Sequence, residues 1–184
     1  FDNVSFECKS INDSTIAENS FDFGYCLGVL HHIPNTRTAL AKCVSKLKKK
    51  SPLLLYIYYR FDNKPFWFIW IWQITDKLRK IISIMPFKLK LIISKIIAIT
   101  IYLPLAKLSS ILEFFGIETT NIPLSDYRNK TFYFMCTDAL DRFGTRLEKR
   151  FTKLEIKDLM KSCGLENIQF SNSTPFWVAI GYKK

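Results

Sequence analysis

Two kinds of hydrophobic spacing share this chain. At the start Val4, Phe6 and Cys8 alternate with polar residues, which predicts a strand, and a polar, turn-rich stretch from Ser10 to Asn19 follows. A second strand is predicted from about Phe21 to Leu27. Beyond Pro34, Asn35 is suited to cap a helix in which Leu40, Cys43, Val44 and Leu47 recur at helical spacing. Leu53 to Tyr59 is an unbroken apolar run introduced by Ser51-Pro52, the pattern of a strand buried on both faces. Strand, helix and strand at these lengths make a βαβ unit, and a parallel sheet follows.

From Asp62 to Gly116 the pattern changes. Pro65 suits a first helical turn; Trp67, Trp70, Ile71, Ile74, Leu78, Ile81, Ile82 and Met85 fall on one stripe, with Gln73, Asp76, Arg79, Lys80 and Ser83 opposite. Pro86 ends that helix. Phe87 to Leu103 is apolar nearly all round apart from Lys88, Lys90 and Lys95, and a third short helix is predicted from Leu105 to Phe115, stopped by Gly116. The charge-free windows 65–75 and 96–106 fall short of the roughly 18 apolar residues a membrane span needs. Each lysine at mid-bilayer would also cost about 2.5–3.5 kcal/mol. A helical lid with its apolar face on the sheet domain is therefore expected, with attachment at a membrane surface as the alternative that Trp, Phe and Lys together suggest.

The last third returns to α/β patterning. Thr152 with Glu155 reads as a capping box and Phe151 with Ile156 as a hydrophobic staple, and that helix closes at Cys163-Gly164-Leu165. Ile168 and Phe170 belong to one strand, Ser171 to Pro175 turn the chain, and Phe176 to Tyr182 form a last strand, an antiparallel hairpin. The expected fold class is therefore α/β, with a core in residues 1–60 and 131–184 and a helical lid insertion at 61–130.

Composition narrows this reading. With 48% hydrophobic and 15% aromatic residues among 184, the chain is folded, not disordered. The net charge of +11 would suit nucleic acid or an anionic membrane, but lysine is spread along the chain and the one dense run, Lys46 to Lys50, ends a predicted helix, where cations belong. Five cysteines without close pairing suggest neither a disulfide framework nor a zinc knuckle. A reducing cytoplasm is the expected location, with membrane association left open.

The turn Cys26-Leu27-Gly28-Val29-Leu30-His31-His32-Ile33-Pro34-Asn35 lies where a strand gives way to a helix, the place where open α/β sheets bind ligands. Together with the linker from Ser10 and the phrase Asn19-Ser20-Phe21-Asp22, it resembles the middle of the class I S-adenosylmethionine-dependent methyltransferases. The nearest likeness is to the group that includes the ubiquinone-biosynthesis C-methyltransferases and many small-molecule O-methyltransferases. The resemblance covers roughly residues 1–60 and 131–184 and implies a Rossmann-like, mostly parallel sheet, present from its third strand onward. It implies S-adenosylmethionine as cofactor, with Ser10 and Ile11 against its adenine and Cys26, Leu27 and Gly28 lining its methionine part. The glycine-rich loop after the family's first strand, the acidic end of its second and the glycine pair before its fifth are not seen, Lys50-Ser51-Pro52 standing in place of the last. An N-terminally truncated fragment that binds cofactor poorly is the expectation.

Methyl transfer rewards proximity and orientation, by about 7–11 kcal/mol, and exclusion of water. If the acceptor is a hydroxyl, His32 is the first candidate for general base, because its unperturbed pKa lies near neutrality. Asp138 and Asp141 are further catalytic candidates. His31, Tyr58, Tyr59, Trp67 and Arg142 are candidates to contact the acceptor. Local ion pairing is the competing explanation for the Asp138–Arg142 cluster, and packing at the helix entrance that for the histidines. No metal site is expected, because adjacent histidines without a carboxylate are a poor ligand set. The expected activity of the intact protein is methyl transfer to a small or lipid-like acceptor. A non-catalytic module that binds lipid at a membrane surface is the alternative, and an RNA methyltransferase a weaker one, since no base-stacking motif or basic stripe supports nucleic acid.

Overall fold

The computed structural model describes residues 3–11, 15–119 and 122–184. Their contacts divide into two compact units: residues 1–62 with 147–184, and residues 63–146.

The first unit is a mixed α/β layer. Its strands β1 (Gly24–Leu27), β2 (Pro52–Tyr56), β3 (Leu165–Phe170) and β4 (Val178–Lys183) form one sheet in the order β1-β2-β4-β3. β1 and β2 run parallel, joined by helix α1 (Thr36–Lys46), as the βαβ pattern requires. The hairpin strands β3 and β4 pair antiparallel, and β4 lies antiparallel on β2. Asn35 caps α1, accepting a 3.0 Å hydrogen bond from the Thr38 amide. Helix α6 (Lys153–Ser162) opens on both bonds of the capping box, Glu155 N–H to Thr152 Oγ1 at 3.2 Å and Thr152 N–H to Glu155 Oε2 at 2.7 Å. The core is aliphatic: Leu40, Leu47, Leu53, Leu55, Ile57, Ile156, Met160 and Leu165 are all but fully buried. Burying each such side chain is worth about 1.5–3 kcal/mol.

Two expected features differ here. Val4 to Cys8 is not a strand, and Phe6 is 94% exposed. Alternation alone cannot hold a strand without a neighbour to complete its ladder. The sheet is also less parallel than expected: of the three ladders among the described strands, one, β1–β2, is parallel.

The second unit is helical: α2 (Phe66–Ser83), α3 (Phe87–Ile97), α4 (Leu103–Phe114) and α5 (Phe132–Gly144). α5 packs against α2 and α3, which carries this unit on to Arg146. No break separates α3 from α4. A π-turn, Ala98–Tyr102, joins them, with Leu103 N–H donating to Ala98 O. That wider turn leads directly into Pro104, which has no amide to donate and would crowd an ordinary helical turn. The result is one continuous helix, Phe87–Phe114, long and apolar enough by length and composition to cross a membrane.

Burial on α2 departs from the expected pattern, although Ile82 of the apolar stripe is buried and Gln73 and Lys80 of the polar face are exposed. Trp70, Ile74, Leu78 and Ile81 of the apolar stripe are exposed, whereas Arg79 and Ser83 of the polar face are buried. Arg79 is satisfied inside the unit, donating through Nε to Asp76 at 2.8 Å and through Nη1 to Thr145 O at 3.0 Å.

Candidate functional site

β1 ends in Gly28, whose φ of +72° is the left-handed conformation glycine adopts without cost. Its N–H donates to Tyr56 O at 2.9 Å, which ties the turn to the end of β2. Beside its Cα the space is open, since a Cβ there would meet nothing within 4 Å. Leu27 and Val29 on either side are exposed, so the carboxyl end of the parallel pair presents an accessible apolar ledge around a glycine. A single 3-10 turn, Leu30–His32, then leads to Asn35 and α1.

The two histidines of that turn are treated differently. His31 is fully buried, stacked on Tyr58 with ring centroids 3.8 Å apart and 4.0 Å from the His32 ring. Neither of its ring nitrogens has a hydrogen-bond partner among the described residues. Burial, aided by the neighbouring His32 and the Arg150 guanidinium, lowers its pKa to about 3, so it is neutral at physiological pH. His32 is half-buried, with Nδ1 2.7 Å from Leu147 O. A carbonyl only accepts, so Nδ1 carries a proton, and in the neutral ring Nε2 holds the lone pair. That is the tautomer a general base requires.

A strap at 147–151 fixes this arrangement. Besides the Leu147 carbonyl, Lys149 N–H donates to His31 O at 3.0 Å, Phe151 N–H to Tyr58 O at 2.9 Å, and Arg150 Nη1 to Tyr59 O at 3.3 Å. The Arg150 guanidinium lies 5.2 Å from the Tyr58 ring centroid and its Nε donates to Glu148 Oε1 at 2.8 Å. Glu148 Oε2 is buried without a partner among the described residues. Glu148 and Arg150 were missed by sequence reasoning. Their signal is the charged run Arg146-Leu147-Glu148-Lys149-Arg150, which pattern alone reads as a solvated loop.

The other candidates are dispersed. Cys26 turns toward α1, where its thiol bonds to Cys43; that bond lowers the Cys26 pKa, while the bond and burial raise that of Cys43. Ser10 and Ile11 lie in irregular chain. Tyr59 packs among Phe61, Phe176 and Trp177. Asp138, Asp141 and Arg142 sit on α5 in the helical unit, as does Trp67 on α2. There Asp138 accepts from the Tyr102 hydroxyl at 2.8 Å and pairs with Arg142 Nε at 2.7 Å, while Arg142 Nη2 donates to the Tyr127 hydroxyl at 2.9 Å. Burial raises the pKa of both tyrosines, so each hydroxyl stays protonated in this network. Among the described residues no group of His, Cys, Asp and Glu could hold a metal ion.

Residues 1–55 match the family model described as a methyltransferase domain. That match covers 55 of the 184 residues. The matched segment contains Ser10, Ile11, the Cys26–Gly28 strand end and both histidines, and it stops inside β2. S-adenosylmethionine is the cofactor this match implies. No curated protein is matched by the sequence. Among solved structures, the chain is similar to a methyltransferase from Thermotoga maritima described as a possible histamine N-methyltransferase, at 14% identity and TM-score 0.44, over 96% of this chain and 62% of that one. It is similar to an O-methyltransferase family protein from Burkholderia thailandensis at 11% identity and TM-score 0.49, over 100% of this chain and 36% of that one. A third, a methyltransferase from Methanosarcina mazei, is 14% identical with TM-score 0.46, over 97% of this chain and 66% of that one. The chain thus spans less than two thirds of each of these proteins.

One end of the matched segment has the shape that S-adenosylmethionine would require. The open space beside Gly28 would admit a ligand, with the exposed Leu27 and Val29 able to meet the methylenes of the methionine part, and a side chain in place of glycine would project into that opening. The unpartnered nitrogens of His31 supply buried polar capacity in the same turn.

Proposed function

We propose that the intact protein transfers a methyl group from S-adenosylmethionine to a small or lipid-like acceptor, and that the turn from Leu27 to His32 is this chain's share of the site. The observation that carries the reading is the positive-φ Gly28, with open space beside it, inside the segment matched to the methyltransferase family. Bound S-adenosylmethionine would supply an electrophilic methyl on sulfur.

The chain's own residues then have three tasks. Leu27, Gly28 and Val29 hold the methionine part against the strand end. His32, with its proton fixed on Nδ1 by Leu147 O, accepts a proton at Nε2 from an acceptor hydroxyl. His31, neutral and stacked on Tyr58, sets the ring position of His32 without competing for that proton. The six glycines include no Gly-x-Gly pair to cradle the rest of the cofactor, so this chain by itself should bind weakly. Calorimetry of the intact protein with S-adenosylhomocysteine tests the reading: binding is expected, and Gly28→Trp should abolish it. Binding unchanged by Gly28→Trp would remove the turn from the site.

A second reading, peripheral contact with a membrane, is favoured by the burial pattern of the helical unit. It places a lipid-like acceptor beside the bilayer that holds it.

A further inference from the structure

The two units bury different kinds of residue. In the sheet unit the large buried side chains are mostly Leu, Ile, Val and Met, beside His31, Lys46 and Trp177. In the helical unit, Ile82 and Met135 are the large aliphatic side chains among the buried residues, and the other buried residues include Ser83, Ser94, Ala98, Tyr102, Ala106, Ser109, Arg79, Tyr127 and Ala139. Ser94, Ala98, Tyr102 and Ala106 follow one another at four-residue intervals along the inner side of the long helix, where small residues let helices approach closely. The outward side is apolar. Leu89, Ile92, Ile96 and Ile99 are exposed on the long helix, and Phe66, Trp70, Ile74, Leu78 and Ile81 on α2. A water-soluble helical unit arranges itself the other way, and exposed apolar area on this scale marks an interaction surface.

Charge identifies the partner. Residues 63–146 carry twelve Lys and Arg against six Asp and Glu, a net charge of +6. The carboxylates are largely committed inside the unit, Asp76 to Arg79 and Lys80, Asp138 to Arg142, and Glu113 to Arg128. Lys77, Lys88, Lys95 and Lys107 are exposed and have no carboxylate partner among the described residues. Lys88 and Lys95 lie in the same sector as Ile92 and Ile99, and Lys77 stands between Ile74 and Ile81.

We propose that the outer faces of α2 and of the helix Phe87–Phe114 dock in the plane of an anionic lipid bilayer, with Trp and Ile entering the headgroup boundary and lysines meeting lipid phosphates. This deepens the membrane reading of the preceding section and rests on it. The lysines recur along the apolar faces instead of gathering at the two ends. That spacing suits a helix lying at the interface, where each ammonium reaches a headgroup. A crossing orientation would leave Lys95 and Lys107 in the hydrocarbon.

The test is flotation of the intact protein, without detergent, on vesicles of phosphatidylcholine alone or with one-third phosphatidylglycerol. Binding to the anionic vesicles and release by alkaline carbonate are expected. Each lysine contributes about 1 kcal/mol at such a surface, so Lys88→Gln with Lys95→Gln and Lys107→Gln should weaken partitioning on the order of 100-fold. Trp70→Gln with Ile92→Gln should weaken it as well, and these positions are exposed, so folding is preserved. Equal binding to both vesicles, retention through carbonate as for a spanning helix, or self-association that leaves vesicles unbound would each overturn the proposal. S-adenosylhomocysteine binding measured on the same preparation separates the outcomes. Lost docking with cofactor binding intact refutes the membrane reading, and lost cofactor binding with docking intact refutes the methyl-transfer one.

Discussion

Acidification should destabilise this protein through His31. The folded state holds that imidazole neutral down to about pH 3, whereas an unfolded chain protonates it near 6.5. Between those values the unfolded state binds the extra proton. The stabilisation is therefore fully present above pH 6.5 and declines as pH falls toward 3. Integrating the linkage gives a loss of about 2 kcal/mol between pH 8 and pH 5 and about 5 kcal/mol once the pH is well below 3. For a chain of this length 2 kcal/mol corresponds to a fall in Tm of about 4–8 °C. The assay is urea unfolding at a series of pH values, followed by circular dichroism, on the native protein and on His31→Phe. Phenylalanine retains a ring to stack on Tyr58 and cannot titrate. Other carboxylates and imidazoles contribute equally to both proteins, so the difference between their pH slopes isolates His31. A His31→Phe protein that loses as much stability as the native one between pH 8 and pH 5 would refute the assignment of a buried, neutral His31.

Other consequences are simpler. Thr152→Ala removes one half of the capping box on α6 and should cost about 1 kcal/mol, read as a lower urea midpoint at unchanged m. Gly28→Ala, forced into φ +72° but meeting no neighbour, should cost about 1 kcal/mol in unfolding experiments while leaving the fold intact by circular dichroism. Asp138→Asn removes the Asp138–Arg142 ion pair in the helical unit and should cost about 1–3 kcal/mol in thermal unfolding, with no cost if the cluster were merely a solvated surface pair. Gly181→Ala places a Cβ 3.0 Å from Met160 Cε and 3.2 Å from Ile168, so a cost of about 1–3 kcal/mol is expected, relieved by the second change Met160→Leu.

Local signals survived translation into structure wherever one segment carried the whole instruction. Asn35 caps α1, Thr152 and Glu155 close their box, and the strand-helix-strand spacing gives the parallel pair β1–β2, because capping and βαβ geometry are settled within a few residues or by connection length. Signals that need a partner did not translate alone. Val4, Phe6 and Cys8 alternate as a strand would, yet no strand forms there, and the predicted strand through Tyr59 ends at Tyr56, after which the Tyr58–Arg60 backbone bonds to Phe151 instead. The site was half visible for the same reason. Gly28 and the histidine pair stand out in sequence. That Leu147 O, more than a hundred residues away, selects the His32 tautomer is a tertiary fact without local trace.

The misreading of α2 is the more instructive one, because its periodicity was real. Hydrophobic spacing reveals that a helix has two faces; which face turns inward depends on what the neighbouring helices offer. Here α5 offers the Thr145 carbonyl, and α2 itself supplies Asp76, so Arg79 can be buried with two partners. A buried guanidinium costs several kcal/mol unless it is so matched. No comparable gain follows from leaving Trp70, Ile74, Leu78 and Ile81 in water, where each gives up on the order of 2 kcal/mol of available burial. Water alone therefore does not account for this arrangement. A bilayer surface would recover that free energy on the apolar face while leaving the inner polar contacts in place, which is why the burial pattern of α2 and the proposed docking stand or fall together.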